Sequence, residues 1–322
     1  MAPLFWIIDE EWPDYEVETR ILKEKYPDCI IKFSTNDYKK DLEEFGYMAD
    51  AIIAQVYVYI PKETIERLEK CKCIALFGGG FDRVDIEAAK EKGIMVTNVQ
   101  GYCAEDLADY VISGIYYFGK KLDFYKNAVE KGLWGAQSAQ EPVRRIKGST
   151  LLIIGCGKIG STVAKRAKAL DVNIIAYDPY VDQNKMDEYC VKKVELEEGL
   201  KTADFISINA KYYEGTHHLL TKKHFQLMKK TAYLINTARG RIINEQDMID
   251  AVNKGLIAGA VVDVISNEPP STDEAIFDCE KIVVTPHVSY ISEESYMELK
   301  VRATNNVIKM LNGERPSDLV NG

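Results

Sequence analysis

The chain has 322 residues, 46% hydrophobic and 28% charged, with a formal net charge of -9. That length predicts two domains, or one large α/β domain with an insertion, and lysines interspersed with Glu and Asp exclude the concentrated basic face a nucleic-acid partner needs. No run approaches the roughly 18 apolar residues of a membrane span, the start MAPLFWIIDEEWPDYE lacks the basic region of a secretory signal, and the seven cysteines without C-x-x-C spacing fit reduced thiols. A soluble, cytoplasmic protein with no membrane partner is therefore expected. Cys71 and Cys73 have no histidine nearby to complete a tetrahedral set, so no metal is expected either.

In chain order, LFWIID, CIIKF, AIIAQVYVYI, CIALFGG and IMVTN read as strands, with the amphipathic segments KETIERLEK and DIEAAKEKG among them, which is a βα alternation. A helix is expected over 104–131. A second series follows, TLLIIGCGKIG, NIIAYDPY, FISINA, AYLINTARG, IAGAVVDVI and KIVVTPHVSY, with candidate helices STVAKRAKAL and NEQDMIDAVNKG in the gaps. It predicts a parallel, doubly wound sheet. The closing SEESYMELKVRATNNVIKMLNG has helical periodicity, which leaves open whether it packs on its own domain or crosses back to the first.

Gly155-Cys156-Gly157-Lys158-Ile159-Gly160 follows the apolar run LLII and opens the helix STVAKRAKAL. Glycines at these three places allow a tight turn, let the backbone approach a pyrophosphate, and pack helix on strand, while the helix N-terminus offers N–H donors to phosphate. Alone the pattern is weak. It is strengthened by Asp178, which ends the next apolar run where an acceptor for a ribose 2′-hydroxyl is expected. That carboxylate would repel a 2′-phosphate and no Arg or Lys follows in DPYVDQN, so NAD is expected over NADP.

Arg239 in INTARGR, Glu268 in VVDVISNEPP and His287 in VVTPHVSY stand where strands of the second series end, the edge at which doubly wound sheets bind ligands. Reduction of a 2-keto acid needs a cation for the carboxylate and carbonyl and a proton donor for the nascent alkoxide. Arg239 suits the first need and His287 the second. Glu268 would orient the imidazole and favour its protonated form. Each has a bland alternative: a surface ion pair, a loop charge before two prolines, a satisfied imidazole. The pair His217–His218 has no partner ligands spaced around it and reads as loop or helix entry.

These residues, together with GGGFDRVDIEAAKEKGIMVTN, AYDPY and LLTKKHFQLMKKTAYLINTARGRIINEQDMIDAVNKGLIAGAVVDV, make the chain resemble the D-isomer-specific 2-hydroxyacid dehydrogenase family over nearly its whole length. The resemblance implies two Rossmann-like doubly wound domains with a cleft between them: a flavodoxin-like substrate domain of residues 1–101 plus 291–322, and a Rossmann NAD-binding domain of 102–290. It implies that Arg239 binds the substrate carboxylate and carbonyl, His287 is the acid/base and Glu268 its partner. Cofactor contacts carry over to Gly155, Gly157, Lys158, Ile159, Gly160, Asp178, Ala210, Gly215, Thr237, Ala238 and Asp263, the last near the carboxamide. Substrate contacts carry over to the backbone around Gly79 and Gly80 and to Tyr102, with Tyr290 beside them, and a homodimer built on the cofactor domain is implied.

The sequence departs from the family at Arg241 and Asn244, where glycine and aspartate are usual, and at Gln100, usually proline. Ala108-Asp109, GGGFD and AYDPY place it nearest the branch of the C-terminal binding protein co-repressors, yet Leu76 and Tyr290 stand where that branch has arginine and tryptophan. The expected function is NAD-dependent reduction of a small 2-keto acid to the D-2-hydroxy acid. Leu76, Phe77, Tyr57, Tyr102 and Tyr290 would make the substrate side apolar and aromatic, favouring pyruvate-like, branched or aromatic keto acids. The alternatives are a glyoxylate or hydroxypyruvate reductase, a formate or phosphite dehydrogenase, and an NAD-sensing interaction protein.

Overall fold

The computed structural model describes residues 2–139 and 142–322; Met1, Gln140 and Glu141 lie outside it. The chain divides into two compact units, Met1–Tyr102 with Ser292–Gly322, and Cys103–Ile291. Each junction falls one residue later than the sequence boundaries.

In the first unit β1 (Leu4–Ile8), β2 (Ile30–Ser34), β3 (Ala51–Gln55), β4 (Cys73–Phe77) and β5 (Met95–Thr97) form one parallel sheet in the order β2-β1-β3-β4-β5. This is the flavodoxin-like order. Side chains alternate between faces: Phe5 and Ile7 enter one apolar core, Trp6 and Ile8 the other. A sheet covered on both sides demands such unbroken apolar runs. AIIAQVYVYI, expected as one strand, leaves the sheet at Gln55; Val58 and Ile60 are buried beyond it, Ile60 in an isolated parallel bridge to Val84, so burial continued the apolar pattern after the strand had ended. The closing helix, Glu293–Leu311, belongs to this unit and buries Leu299, Ala303, Val307 and Met310 beside Phe5, Ile7 and Phe77. Ser292 caps it through its hydroxyl, which accepts from the Ser295 N–H.

In the second unit β6 (Thr150–Ile154), β7 (Asn173–Tyr177), β8 (Lys192–Lys193), β9 (Phe205–Ile208), β10 (Tyr233–Asn236), β11 (Gly259–Val262) and β12 (Ile282–Val284) run parallel in the order β12-β11-β10-β9-β6-β7-β8. That is a Rossmann sheet with one added strand, and the order reverses between β6 and β9. The long helix expected over 104–131 is two, Ala104–Gly119 and Leu122–Glu130, because Lys121 takes a left-handed backbone (φ 51°) that no helix continues through. Among the described residues no helix is long and apolar enough to cross a membrane.

One feature of the first unit carries a pH signature. Lys300 of the closing helix is 2% exposed, and its ammonium donates to the Asp14 carbonyl at 2.8 Å and lies 3.6 Å from Glu18, itself fully buried. The rings of Trp12, Tyr15 and Tyr296 surround the cation at 4.9 to 5.8 Å. Among the described residues neither Glu18 oxygen has a hydrogen-bond donor within bonding distance, and burial pushes its carboxyl from 4.5 up to about 7 despite the nearby Lys300 charge. A raised acid pKa means the folded chain holds a proton that the unfolded chain has released. The stability this gives is complete below pH 4.5 and is lost as pH rises towards 7, at most roughly 3 kcal/mol. Denaturant unfolding of wild type and Glu18→Gln between pH 4.5 and 8 should therefore show the wild type losing stability relative to the variant as pH rises; parallel curves would contradict the assignment.

Candidate active site

The turn after β6 uses its three glycines for three different reasons. Gly155 has φ 90°, and a Cβ there would sit 2.6 Å from the Ala210 backbone in the loop after β9. Gly160 lies so close that a Cβ would meet the Gly155 carbonyl oxygen at 2.1 Å, which presses the helix Lys158–Lys168 onto the strand. Gly157, the N-cap, faces open space instead: nothing lies within 4 Å of where its Cβ would be. An uncapped helix N-terminus behind an open, Cβ-free surface fits a pyrophosphate. The Thr237 hydroxyl and the Asn209 side-chain amide oxygen, buried at the ends of β10 and β9, have no hydrogen-bond partner among the described residues, as groups that await a ligand would.

Asp178 follows β7 and is 8% exposed. Its Oδ2 accepts from Cys156 N at 2.8 Å, and its Oδ1 from Tyr180 N and Val181 N at 2.9 and 3.2 Å. The carboxylate thus ties the glycine turn to the β7 loop, a role the sequence pattern did not reveal. Beyond it, Lys193 donates to the Val181 carbonyl at 2.6 Å. Lys158 and Ile159 open the helix, and Gly215 sits against the Tyr213 ring, where a Cβ would approach to 2.5 Å.

Arg239, Glu268 and His287 follow β10, β11 and β12 respectively. The buried Asn236 side chain shapes the first turn: its Oδ1 accepts from Ala238 N at 3.0 Å and its Nδ2 donates to the Arg239 carbonyl at 3.0 Å. At Gly240 a Cβ would fall 2.0 Å from the Ile265 carbonyl carbon, so this turn packs directly on the β11 loop and only glycine fits. In that loop Glu268 Oε1 accepts from Ile265 N at 3.0 Å, and Ser266 N is held by Glu245 at 2.8 Å. Glu268 Oε2 lies 3.0 Å from His287 Nδ1, and both side chains are about one-fifth exposed, at 18% and 19%. Burial alone would raise the Glu268 carboxyl; the His287 hydrogen bond and charge, the Ile265 N–H and the Arg239 charge outweigh it, and the net direction is downward. Glu268 is therefore an ionised acceptor, and the proton of this contact sits on His287 Nδ1.

His287 has φ 55°, a costly left-handed conformation for a residue with a side chain. Asp263, 1% exposed, holds it there. The Asp263 carbonyl accepts from His287 N at 2.9 Å, Oδ1 accepts from Val288 N and Thr285 Oγ1 at 2.9 and 2.5 Å, and Oδ2 accepts from Ser289 N at 2.8 Å. Tyr290 sets its ring edge-on to the imidazole at 6.2 Å.

Among the departures, Asn244 caps the helix Glu245–Asn253 by accepting from Asp247 N, which an aspartate would do equally well. Arg241 donates to the Ser266 carbonyl at 3.2 Å. His217 and His218 stack on each other at 3.9 Å in the loop after β9, away from any metal-binding group among the described residues. In the first unit Leu76 and Phe77 are each 1% exposed and belong to the cores on opposite faces of the sheet, so neither lines a substrate surface. Gly79 lies in the loop after β4, where its carbonyl accepts from Asn98 at 2.7 Å.

Residues 112–289 match the family model described as D-isomer specific 2-hydroxyacid dehydrogenase, NAD binding domain. A protein of Staphylococcus epidermidis named as a 2-hydroxyacid dehydrogenase is 34% identical over 309 residues, spanning 95% of this chain and 96% of its own length. Its counterpart in Staphylococcus haemolyticus is 35% identical over 307 residues, with 95% and 96% covered. Among solved structures, the D-lactate dehydrogenase of Aquifex aeolicus complexed with NAD and lactic acid superposes with a TM-score of 0.88 at 26% identity, covering 99% of each chain. The chain belongs to the D-isomer-specific 2-hydroxyacid dehydrogenase family, NAD-dependent oxidoreductases that act on a CH–OH group.

Proposed function

We propose that the protein reduces a small, pyruvate-like 2-keto acid to the D-2-hydroxy acid with NADH. The observation that carries this is the contact between His287 Nδ1 and the ionised Glu268, with the Arg239 charge acting on the same carboxylate. When bound, the nicotinamide supplies the hydride to C2. The Arg239 guanidinium holds the substrate carboxylate and draws charge toward the carbonyl oxygen. As that oxygen becomes an alkoxide, Nε2–H of His287 gives it a proton, while Nδ1–H remains on Glu268, whose charge steadies the imidazole before transfer. In the other direction Nε2 takes the hydroxyl proton. On the substrate side this reading keeps the positions carried over from the family: the backbone around Gly79 and Gly80, with Tyr102 and Tyr290. Leu76 and Phe77, being core, lend no support to a large aromatic substituent. The NAD-and-lactate complex of the Aquifex relative favours the small end of the range.

Lys158, Ile159, Ala210, Gly215, Thr237, Ala238 and Asp263 complete the cofactor contacts in this reading, with Asp178 at the ribose. The Asp178 charge favours NADH, and the nearby Lys193 ammonium is engaged by a carbonyl. The working form is a homodimer through the second unit, where Tyr116, Leu122, Val129 and Trp134 are 44 to 78% exposed, a set of large apolar side chains that an interface would cover. A reducing cytoplasm suits seven cysteines of which none forms a disulfide among the described residues.

NADH and NADPH oxidation against pyruvate, 2-ketobutyrate, branched and aromatic keto acids, glyoxylate and hydroxypyruvate, with NAD reduction by formate and phosphite alongside, tests the proposal. Highest kcat/KM is expected with NADH and a small 2-keto acid; turnover confined to formate or phosphite, or none at all, would sink it. His287→Gln should lower kcat by about 10²- to 10⁴-fold with NADH affinity little changed, and an unaltered kcat would remove His287 from the chemistry.

A further inference from the structure

The Asp263 carboxylate that holds the His287 segment is itself held from a distant helix. Tyr110 Oη lies 2.5 Å from Thr285 Oγ1, and Thr285 Oγ1 lies 2.5 Å from Asp263 Oδ1. The direction of this chain follows from donor capacity. Asp263 already accepts the N–H groups of Val288 and Ser289, so it is an acceptor only, and the single Thr285 hydroxyl proton must go to it. In the contact between the two hydroxyls, Tyr110 is then the donor and Thr285 Oγ1 the acceptor.

The reach of Tyr110 is set by close packing. Gly114, one turn further along the helix Ala104–Gly119, is so near the sheet that a Cβ would come within 3.1 Å of Val261 on β11 and 3.3 Å of Ile235 on β10. A side chain at that position would hold the helix off the strands and carry Tyr110 away from the strand ends. Burial outweighs the opposing Thr285 hydrogen bond and, with the Asp263 charge adding to it, raises the Tyr110 phenol, which stays protonated as a donor must be.

We propose that Tyr110 is a positioning residue for the reaction: its hydroxyl heads a directed chain, Tyr110 to Thr285 to Asp263, that fixes the carboxylate on which the left-handed His287 segment hangs. The catalytic part rests on reading His287 as the proton donor. Loss of the hydroxyl leaves the Thr285 oxygen without its donor and loosens the Thr285 hydroxyl on Asp263 Oδ1, so that the carboxylate is less firmly fixed and Nε2 is held less well over the oxygen it protonates. The effect falls on kcat, because proton transfer needs that alignment and ground-state binding of the keto acid does not.

Tyr110→Phe and Thr285→Val, singly and together, test it in the NADH-bound protein. Each single variant should lower kcat on the order of tenfold with KM for the keto acid within about twofold, Thr285→Ser should retain the wild-type rate, and the double variant should lose little more than either single one. Unchanged kcat in Tyr110→Phe, or fully additive losses, would overturn the chain. A second readout needs no turnover: amide hydrogen exchange in a peptide spanning 284–291 should quicken several-fold in Tyr110→Phe, and unchanged protection would refute the positioning role. If wild type turned over no keto acid while that exchange still quickened, the function reading would fail and the hydrogen-bonded chain would stand.

Discussion

A single carboxylate, that of Asp263, sets the geometry on which the reactive part of the second unit depends. Left-handed backbone at His287 costs on the order of 1–3 kcal/mol, and it persists because the Asp263 carbonyl takes the His287 N–H while its carboxylate takes the next two amides and the Thr285 hydroxyl. Buried and saturated with donors, the aspartate converts an unfavourable conformation into the only one that satisfies four groups at once. The imidazole is thereby aimed at Glu268, and the Glu268 carboxylate is aimed back by the Ile265 amide.

The sheet order supplies the rest. Parallel strands put every loop that follows a strand at the same edge, so Arg239, Glu268 and His287, each a few residues beyond its strand, share that edge with the glycine turn after β6. Sterics then lock neighbouring loops together: Gly155 against Ala210, Gly240 against Ile265. The electrostatic result is one ionised carboxylate between a guanidinium and an imidazole.

Much of this was legible in the sequence, for identifiable reasons. Strands buried on both faces announce themselves as unbroken apolar runs, and the three glycines of GCGKIG each answer a steric or ligand demand that a motif preserves. The limits are as specific. Val58 and Ile60 are buried without being strand, so AIIAQVYVYI reads too long. Nothing about a lysine marks the left-handed break at Lys121, and the two-residue β8, Lys192–Lys193, has no apolar signal at all. Leu76 and Phe77 looked like substrate wall because local sequence shows that a residue is apolar, never which way the sheet turns it. The anchoring role of Asp263 was hidden because its partners lie 22 to 26 residues along the chain. Tyr110 and Thr285 are 175 residues apart.

Hydride delivery to C2 with protonation of the adjacent oxygen can be read from isotopic labelling. NADH carrying two deuterons at C4 is supplied with pyruvate, and the product is resolved by chiral chromatography and weighed by mass spectrometry. The expected product is D-lactate with one deuteron at C2 and none in the methyl group. Unlabelled lactate, lactate of the L configuration, or NADH oxidation without any hydroxy acid formed would contradict it.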